Sequence, residues 1–116
     1  MPNLNDCKMM GHLTKDPTLN FTANGVPVCN FSMAINTYFT TASGDKREEV
    51  CFIGIVCWAK TAESCAQHCK KGDCVLVTGR LQQRQWETDG QKRQKHEICA
   101  ESVVFIPKDK KEKKEE

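Results

Sequence analysis

Phe52 and Trp58 stand six residues apart in the apolar run Val50-Cys51-Phe52-Ile53-Gly54-Ile55-Val56-Cys57-Trp58. Read as a strand, the run alternates its side chains between two faces. Both large aromatics then share the even face with small Gly54 and modest Val56. Cys51, Ile53, Ile55 and Cys57 form an ordinary core stripe on the odd face. Aromatic rings set opposite a core offer a platform for flat ligands, and nucleic-acid bases are the flat ligands that small non-catalytic domains most often stack. A later segment repeats the arrangement. Val75, Val77 and Leu81 read as inward, with Gly79 easing a bend, while Arg80, Gln82, Arg84 and Trp86 share the other face. Arginine interleaved with tryptophan sets phosphate contacts beside a stacking surface. Exposed Arg/Gln faces occur on proteins of every kind, so this segment takes its meaning from the Phe52/Trp58 face.

Further candidates surround these two strands. Phe39 ends the preceding strand at the mouth of a loop holding Lys46 and Arg47, where it could equally pack locally. Lys60, Lys70 and Lys71 flank a predicted helix, and the last two also complement a helix C-terminus. Lys8, Lys92, Arg93 and Lys95 complete a scattered basic set, each with the alternative role of a solvated charge. Catalysis finds little support. His12, His68 and His96 lack a Ser, Cys or carboxylate partner in any recurring motif, and no Gly-x-x-x-x-Gly-Lys phosphate cradle occurs. The expectation is a binding protein without enzymatic activity and without a cofactor.

The elements that must position these residues belong to one domain, since 116 residues suffice for a single modest core. No apolar run approaches the length of a membrane span, and Met1-Pro-Asn-Leu-Asn-Asp has the layout of neither a signal nor a transit peptide, so a cytoplasmic protein is expected. The formal charge is +2, and the tail Pro107–Glu116 carries five Lys against four acids. Total charge therefore announces no nucleic-acid partner; only its distribution could. Eight cysteines without a secretion signal read as reduced, buried thiols. The sharper alternative, zinc held by Cys65, Cys69 and Cys74 near His68, offers one short Cys pair with no clear second, and no metal is expected.

Five strands and one helix follow from the punctuation. The first strand spans about Asp6 to Asn20, bent near Gly11 and Asp16-Pro17. Thr22-Ala23-Asn24-Gly25 is a turn, Val26 to Tyr38 an alternating strand, and Phe39 to Glu48 carries a polar hairpin loop. Glu49 to Trp58 is the aromatic-bearing strand. Thr61 to Lys71 reads as a helix with Ala62, Cys65, Ala66 and Cys69 on one face and Gly72 as its stop. Cys74 to Glu87 and Gln94 to Phe105 are strands about a Thr88-Asp89-Gly90-Gln91 tip. The expected fold is all-β: a five-stranded Greek-key barrel closed by one short helix, the OB-fold, over residues 1–106, followed by a disordered Lys/Glu-rich tail over 107–116.

The residues also resemble a known family, the bacterial-type single-stranded DNA-binding proteins, from about Lys8 to Phe105. The matching segments are Met10-Gly11-His12-Leu13-Thr14-Lys15-Asp16-Pro17, Asn24-Gly25, Val28-Cys29-Asn30-Phe31-Ser32-Met33-Ala34, Trp58-Ala59-Lys60-Thr61-Ala62-Glu63, Lys70-Lys71-Gly72 and Val77-Thr78-Gly79-Arg80-Leu81. The resemblance implies stacking on Phe39, Phe52, Trp58 and Trp86, and adds Lys15 to the nucleic-acid-binding cations. It implies a homotetramer of OB-folds that binds and protects single-stranded DNA largely without sequence preference, nucleoid-associated and active in replication, recombination and repair. Asn20 and Gly54 stand where relatives can carry Arg, which implies weaker phosphate attraction. Such proteins usually end in an acidic tip that docks partner enzymes. This chain ends Lys110-Lys111-Glu112-Lys113-Lys114-Glu115-Glu116, so recruitment is not carried over. Two rivals remain at this level: a primosomal-type OB module for protein interaction, and an RNA-binding OB domain.

Overall fold

Alternating apolar residues on several strands meet in one core: Cys29, Phe31 and Met33, then Ile55 and Cys57, then Val75 and Val77, then Ile98 and Ala100. The computed structural model describes residues 2–107. Its elements are β1 (Cys7–Leu13), β2 (Thr18–Phe21), β3 (Pro27–Thr40), β4 (Lys46–Trp58), α1 (Ala59–His68), β5 (Cys74–Thr88) and β6 (Gln91–Ile106). The strands lie in the order β1-β5-β6-β4-β3-β2, and a β1–β3 pairing through His12 and Leu13 closes five of them into a barrel. The β4–β6 contact is parallel and the other pairings are antiparallel. This is the expected Greek-key barrel. The expected tail, apart from Pro107, lies outside the described residues.

The first expected strand is two. β1 pairs with β5 and β2 with β3. Pro17, which has no N–H for a ladder, sits between them, and the Asp16 carboxylate accepts the Lys71 backbone N–H at 2.8 Å. The helix also differs from its expected bounds, starting at Ala59 and ending at His68. Beyond it the Asp73 and Asp16 carboxylates take up the N–H groups of Lys70 and Lys71, which turns the chain away from helical bonding. Gly72, with φ +90°, serves this turn and not the helix end. The expected face holds: Ala62, Cys65 and Cys69 are buried in the core, and Ala66 packs against it.

Two inward assignments need correction. Cys51 is exposed, and Leu81 is 43% exposed. Alternation tells which face a residue takes, but not how far the core reaches along it. The β3–β4 and β5–β6 pairs continue past the barrel as two-stranded arms, wetted on both faces. The β5–β6 arm ends in a two-residue turn, Asp89 and Gly90, both with positive φ. Where β5 enters the barrel, a register shift falls between Thr78 and Gly79. There a Cβ on Gly79 would collide with the Cys99 carbonyl oxygen, so the bend requires glycine.

The helix seals the barrel over a nest of thiols. Cys29, Cys57, Cys65 and Cys69 are buried together, and the Cys57 thiol donates to the Cys29 carbonyl at 3.6 Å. Burial, reinforced by Cys65 nearby, pushes the Cys29 thiol up to about 11. Burial, again reinforced by Cys65, pushes Cys69 up to about 12. Both stay protonated at neutral pH. The His68 ring tilts against Phe105, 5.7 Å between centroids. Among the described residues no group of three or more His, Cys, Asp or Glu is placed to hold a metal ion.

Candidate nucleic-acid interface

Cross-strand partners share a face of a sheet, so the register shows which side chains stand together. One row runs Ser32–Gly54–Glu97–Gln82 across β3, β4, β6 and β5. The next runs Thr18–Asn30–Val56–Cys99–Arg80, with β2 joining at its end. Phe52 flanks the first row and Trp58 the second, both on the same face as the rows. Arg84 and Trp86 extend that face along β5. Phe52, Trp58 and Trp86 are 66%, 44% and 42% exposed, respectively. Val56 and Cys99 lie low between them and are buried, so the rings stand around a shallow floor.

Beside Phe52 the floor deepens into a groove of about 420 Å³, lined by Lys15, Thr18, Asn30, Ser32, Gly54 and Lys95 among others. Gly54 makes room there. A Cβ at Gly54 would lie 3.4 Å from the Lys95 Nζ, so that the lysine drapes across the glycine. Lys15 lies at one wall of this groove. Lys95, one of the scattered charges of the sequence, lies in the same groove. Its position became legible only through the β4–β6 register, which no local pattern encodes.

An acid also sits in this face. Glu97 is 1% exposed, and its Oε1 accepts from Arg84 Nε at 2.8 Å and from Gln82 Nε2 at 3.3 Å. A carboxylate buried this deeply needs such partners. The Arg84 guanidinium carbon lies 5.6 Å from the Trp86 ring centroid. Arg80 approaches Glu101 at 3.7 Å, an exposed pair of small energetic weight. Arg93 stands opposite Trp86 and helps line a cleft of about 680 Å³ on the β5–β6 arm.

The remaining candidates lie farther out. Phe39 stands opposite Arg47 on the β3–β4 arm, where Lys46 lines the same cleft of about 460 Å³. The register puts Phe39 on the ribbon face opposite that of Phe52. Tyr38, 72% exposed and not singled out from sequence, takes Phe52's face instead. Arg47 pairs with Asp45 at 3.8 Å and Lys8 with Asp6 at 3.1 Å. Lys8 belongs to the row of Thr78 and Ser102. Lys60 lies at a cleft between α1 and β6. Lys70 and Lys71 occupy the turn after α1, where Lys71 is tied to Asp16, the neighbour of Lys15.

A closed five-stranded Greek-key barrel, sealed by a helix and carrying aromatics and cations on one outer face, defines an OB-fold module of nucleic-acid-binding type. The model of the single-strand binding protein family matches residues 4–106, and the chain belongs to that family. It is 43% identical over 113 residues to single-stranded DNA-binding protein 2 of Chlorobaculum tepidum, covering 96% of this chain and 76% of that protein. It is 44% identical over 104 residues to single-stranded DNA-binding protein A of Bacillus subtilis, covering 89% of this chain and 59% of that one. Among solved structures, the single-stranded DNA-binding protein of Thermus aquaticus, as a deletion mutant, superposes with a TM-score of 0.82 at 31% identity, over 90% of this chain and 51% of that chain. The Plasmodium falciparum protein in complex with single-stranded DNA has the same fold, with a TM-score of 0.86 at 23% identity over 92% of this chain and 98% of that chain.

Proposed function

We propose that this chain binds and protects single-stranded DNA largely without sequence preference, in replication, recombination and repair. The observation that carries the reading is the placement of Phe52, Trp58 and Trp86 on one continuous outer sheet face, with Lys15 and Lys95 in the groove beside it. Bases stack on the rings, which every base allows because each has a π-face, and the cations meet the phosphates between them. Tyr38, on the face of Phe52, extends the path along one arm, and the DNA strand crosses to the other face of that ribbon to meet Phe39 and Arg47; Trp86 and Arg93 extend the path along the other arm. The protein acts as a binder, not a catalyst, in the cytoplasm, associated with the nucleoid; its curated relatives named above are single-stranded DNA-binding proteins of bacteria. A homotetramer is the proposed working form. It is supported by an apolar strip on the outer surface away from the groove, where Met10, Leu76 and Val104 are cross-strand neighbours and Met10 is half exposed.

A fluorescence titration with oligo-dT tests the reading directly, since both tryptophans of the chain lie in the proposed face. Quenching and an affinity that falls as salt rises are expected. Trp58→Ala and Trp86→Ala should each weaken binding by about 1–3 kcal/mol, a magnitude taken from OB-fold proteins of this kind. Parent-like affinity in both variants would remove the stacking platform from consideration.

A further inference from the structure

Arg84 has the position of a phosphate ligand, exposed on the aromatic face two residues from Trp86, but its guanidinium is already committed. Nε donates to the Glu97 carboxylate at 2.8 Å, the short range of a charge-assisted bond. The same planar group lies over the Trp86 ring, 5.6 Å from the centroid. Glu97 is almost fully buried, with Gln82 as its second donor. Swinging Arg84 out to a phosphate would strip a buried carboxylate of its counter-charge, which is far costlier than leaving an exposed phosphate to another cation. Lys15 and Lys95 make no ion pair among the described residues and flank the groove itself.

We propose that Arg84 is a positioning residue of the DNA interface and not a phosphate contact: anchored by Glu97, it covers one face of Trp86 and holds the ring with its other face open to a base. The pair is locally neutral, so it shapes the surface without adding to the electrostatic pull. Arginine suits this role because its planar fork can bond a carboxylate and stack on a ring at once, which a lysine ammonium cannot do. The proposal rests on the single-stranded DNA reading above.

Salt dependence separates the two roles, because each phosphate contact to a single strand contributes about 0.7 to the slope of log K against log salt. The full chain is titrated with oligo-dT over about 50 to 500 mM NaCl. The double variant Arg84→Gln/Glu97→Gln removes the arginine without stranding a buried charge. It should bind roughly tenfold more weakly, with a smaller share of quenching from Trp86 and a parent-like slope. Glu97→Gln alone frees the Arg84 charge and should steepen the slope by about 0.7, whereas Lys95→Ala should flatten it by about 0.7. Arg84→Lys, which keeps both the charge and a pairing with Glu97, guards against misfolding of the double variant; it too should lose affinity at a parent-like slope. A double variant that flattens the slope as Lys95→Ala does would make Arg84 a phosphate ligand. Parent-like affinity and quenching in the double variant or in Arg84→Lys would remove the positioning role. Failure of the parent to bind oligo-dT at any salt is a different result: it defeats the single-stranded DNA reading itself and this proposal with it.

Discussion

Cys29 and Cys69 illustrate how burial turns an ordinary side chain into a pH-sensitive one. Their thiols are raised from 9.0 to about 11 and about 12 because the core disfavours the thiolate. A group whose folded pKa lies above its unfolded value holds its protons more tightly when folded. Its stabilising contribution is complete below the unfolded value and is lost as pH rises through the folded one. The melting temperature should therefore hold level up to about pH 8.5, then fall between about pH 9 and 12. Cys29→Ala should make that alkaline decline shallower, which calorimetry at stepped pH would reveal; an unchanged decline would place its cause elsewhere. At this scale the sequence was legible where type and parity suffice. The outward rings Phe52, Trp58 and Trp86 and the buried thiols Cys29, Cys57, Cys65 and Cys69 stand as read. The placement of Glu97 and Lys95 in the groove beside Phe52 was not legible. An acid and a lysine in a charged hairpin strand carry no local mark of which strand they will cross.

The elements divide in the same way. Hydrophobic alternation and turn residues located every strand of the barrel, and the i, i+3, i+4 spacing located the buried face of α1. The split between β1 and β2 and the early end of α1 both depend on Asp16, whose carboxylate joins segments 55 residues apart. A contact of that range leaves no periodic trace. Gly79 is the element-scale feature most open to test. Adding a methyl there forces the β5 backbone away from Cys99 at the register shift. Gly79→Ala should cost about 1–3 kcal/mol in urea unfolding. The same substitution should weaken oligo-dT binding as well, because Arg80, Arg84 and Trp86 all lie just beyond the bend. A variant with parent-like stability would mean that the barrel yields at this point more easily than its geometry indicates.

At the scale of the molecule, the apolar strip of Met10, Leu76 and Val104 asks to be covered by another copy of the chain. Native mass spectrometry should find a species four times the 13.1 kDa chain mass. A dimer would favour the primosomal-type reading, and a monomer at micromolar concentration would leave the strip without its proposed role. Met10→Lys should shift the distribution toward smaller species by placing like charges across the contact. Closure of the barrel was legible from strand count and the single helix, but the length of the arms beyond it was not, because alternation persists in a ribbon after the core has ended. That overhang has a kinetic consequence. Past Cys51, and past Arg84 with its tie to buried Glu97, the rungs are held by cross-strand bonds between wetted residues, so the outer part of each arm can open while the barrel stays shut. In deuterium exchange the amides from Tyr38 to Glu48 and from Gln85 to Gln94 would then form two fast-labelling units, well separated from Ile55, Val77 and Ile98. Trp86 and Phe39 ride on these loosely held units, so DNA would act on them as a splint, slowing exchange in the arms far more than in the barrel that carries them.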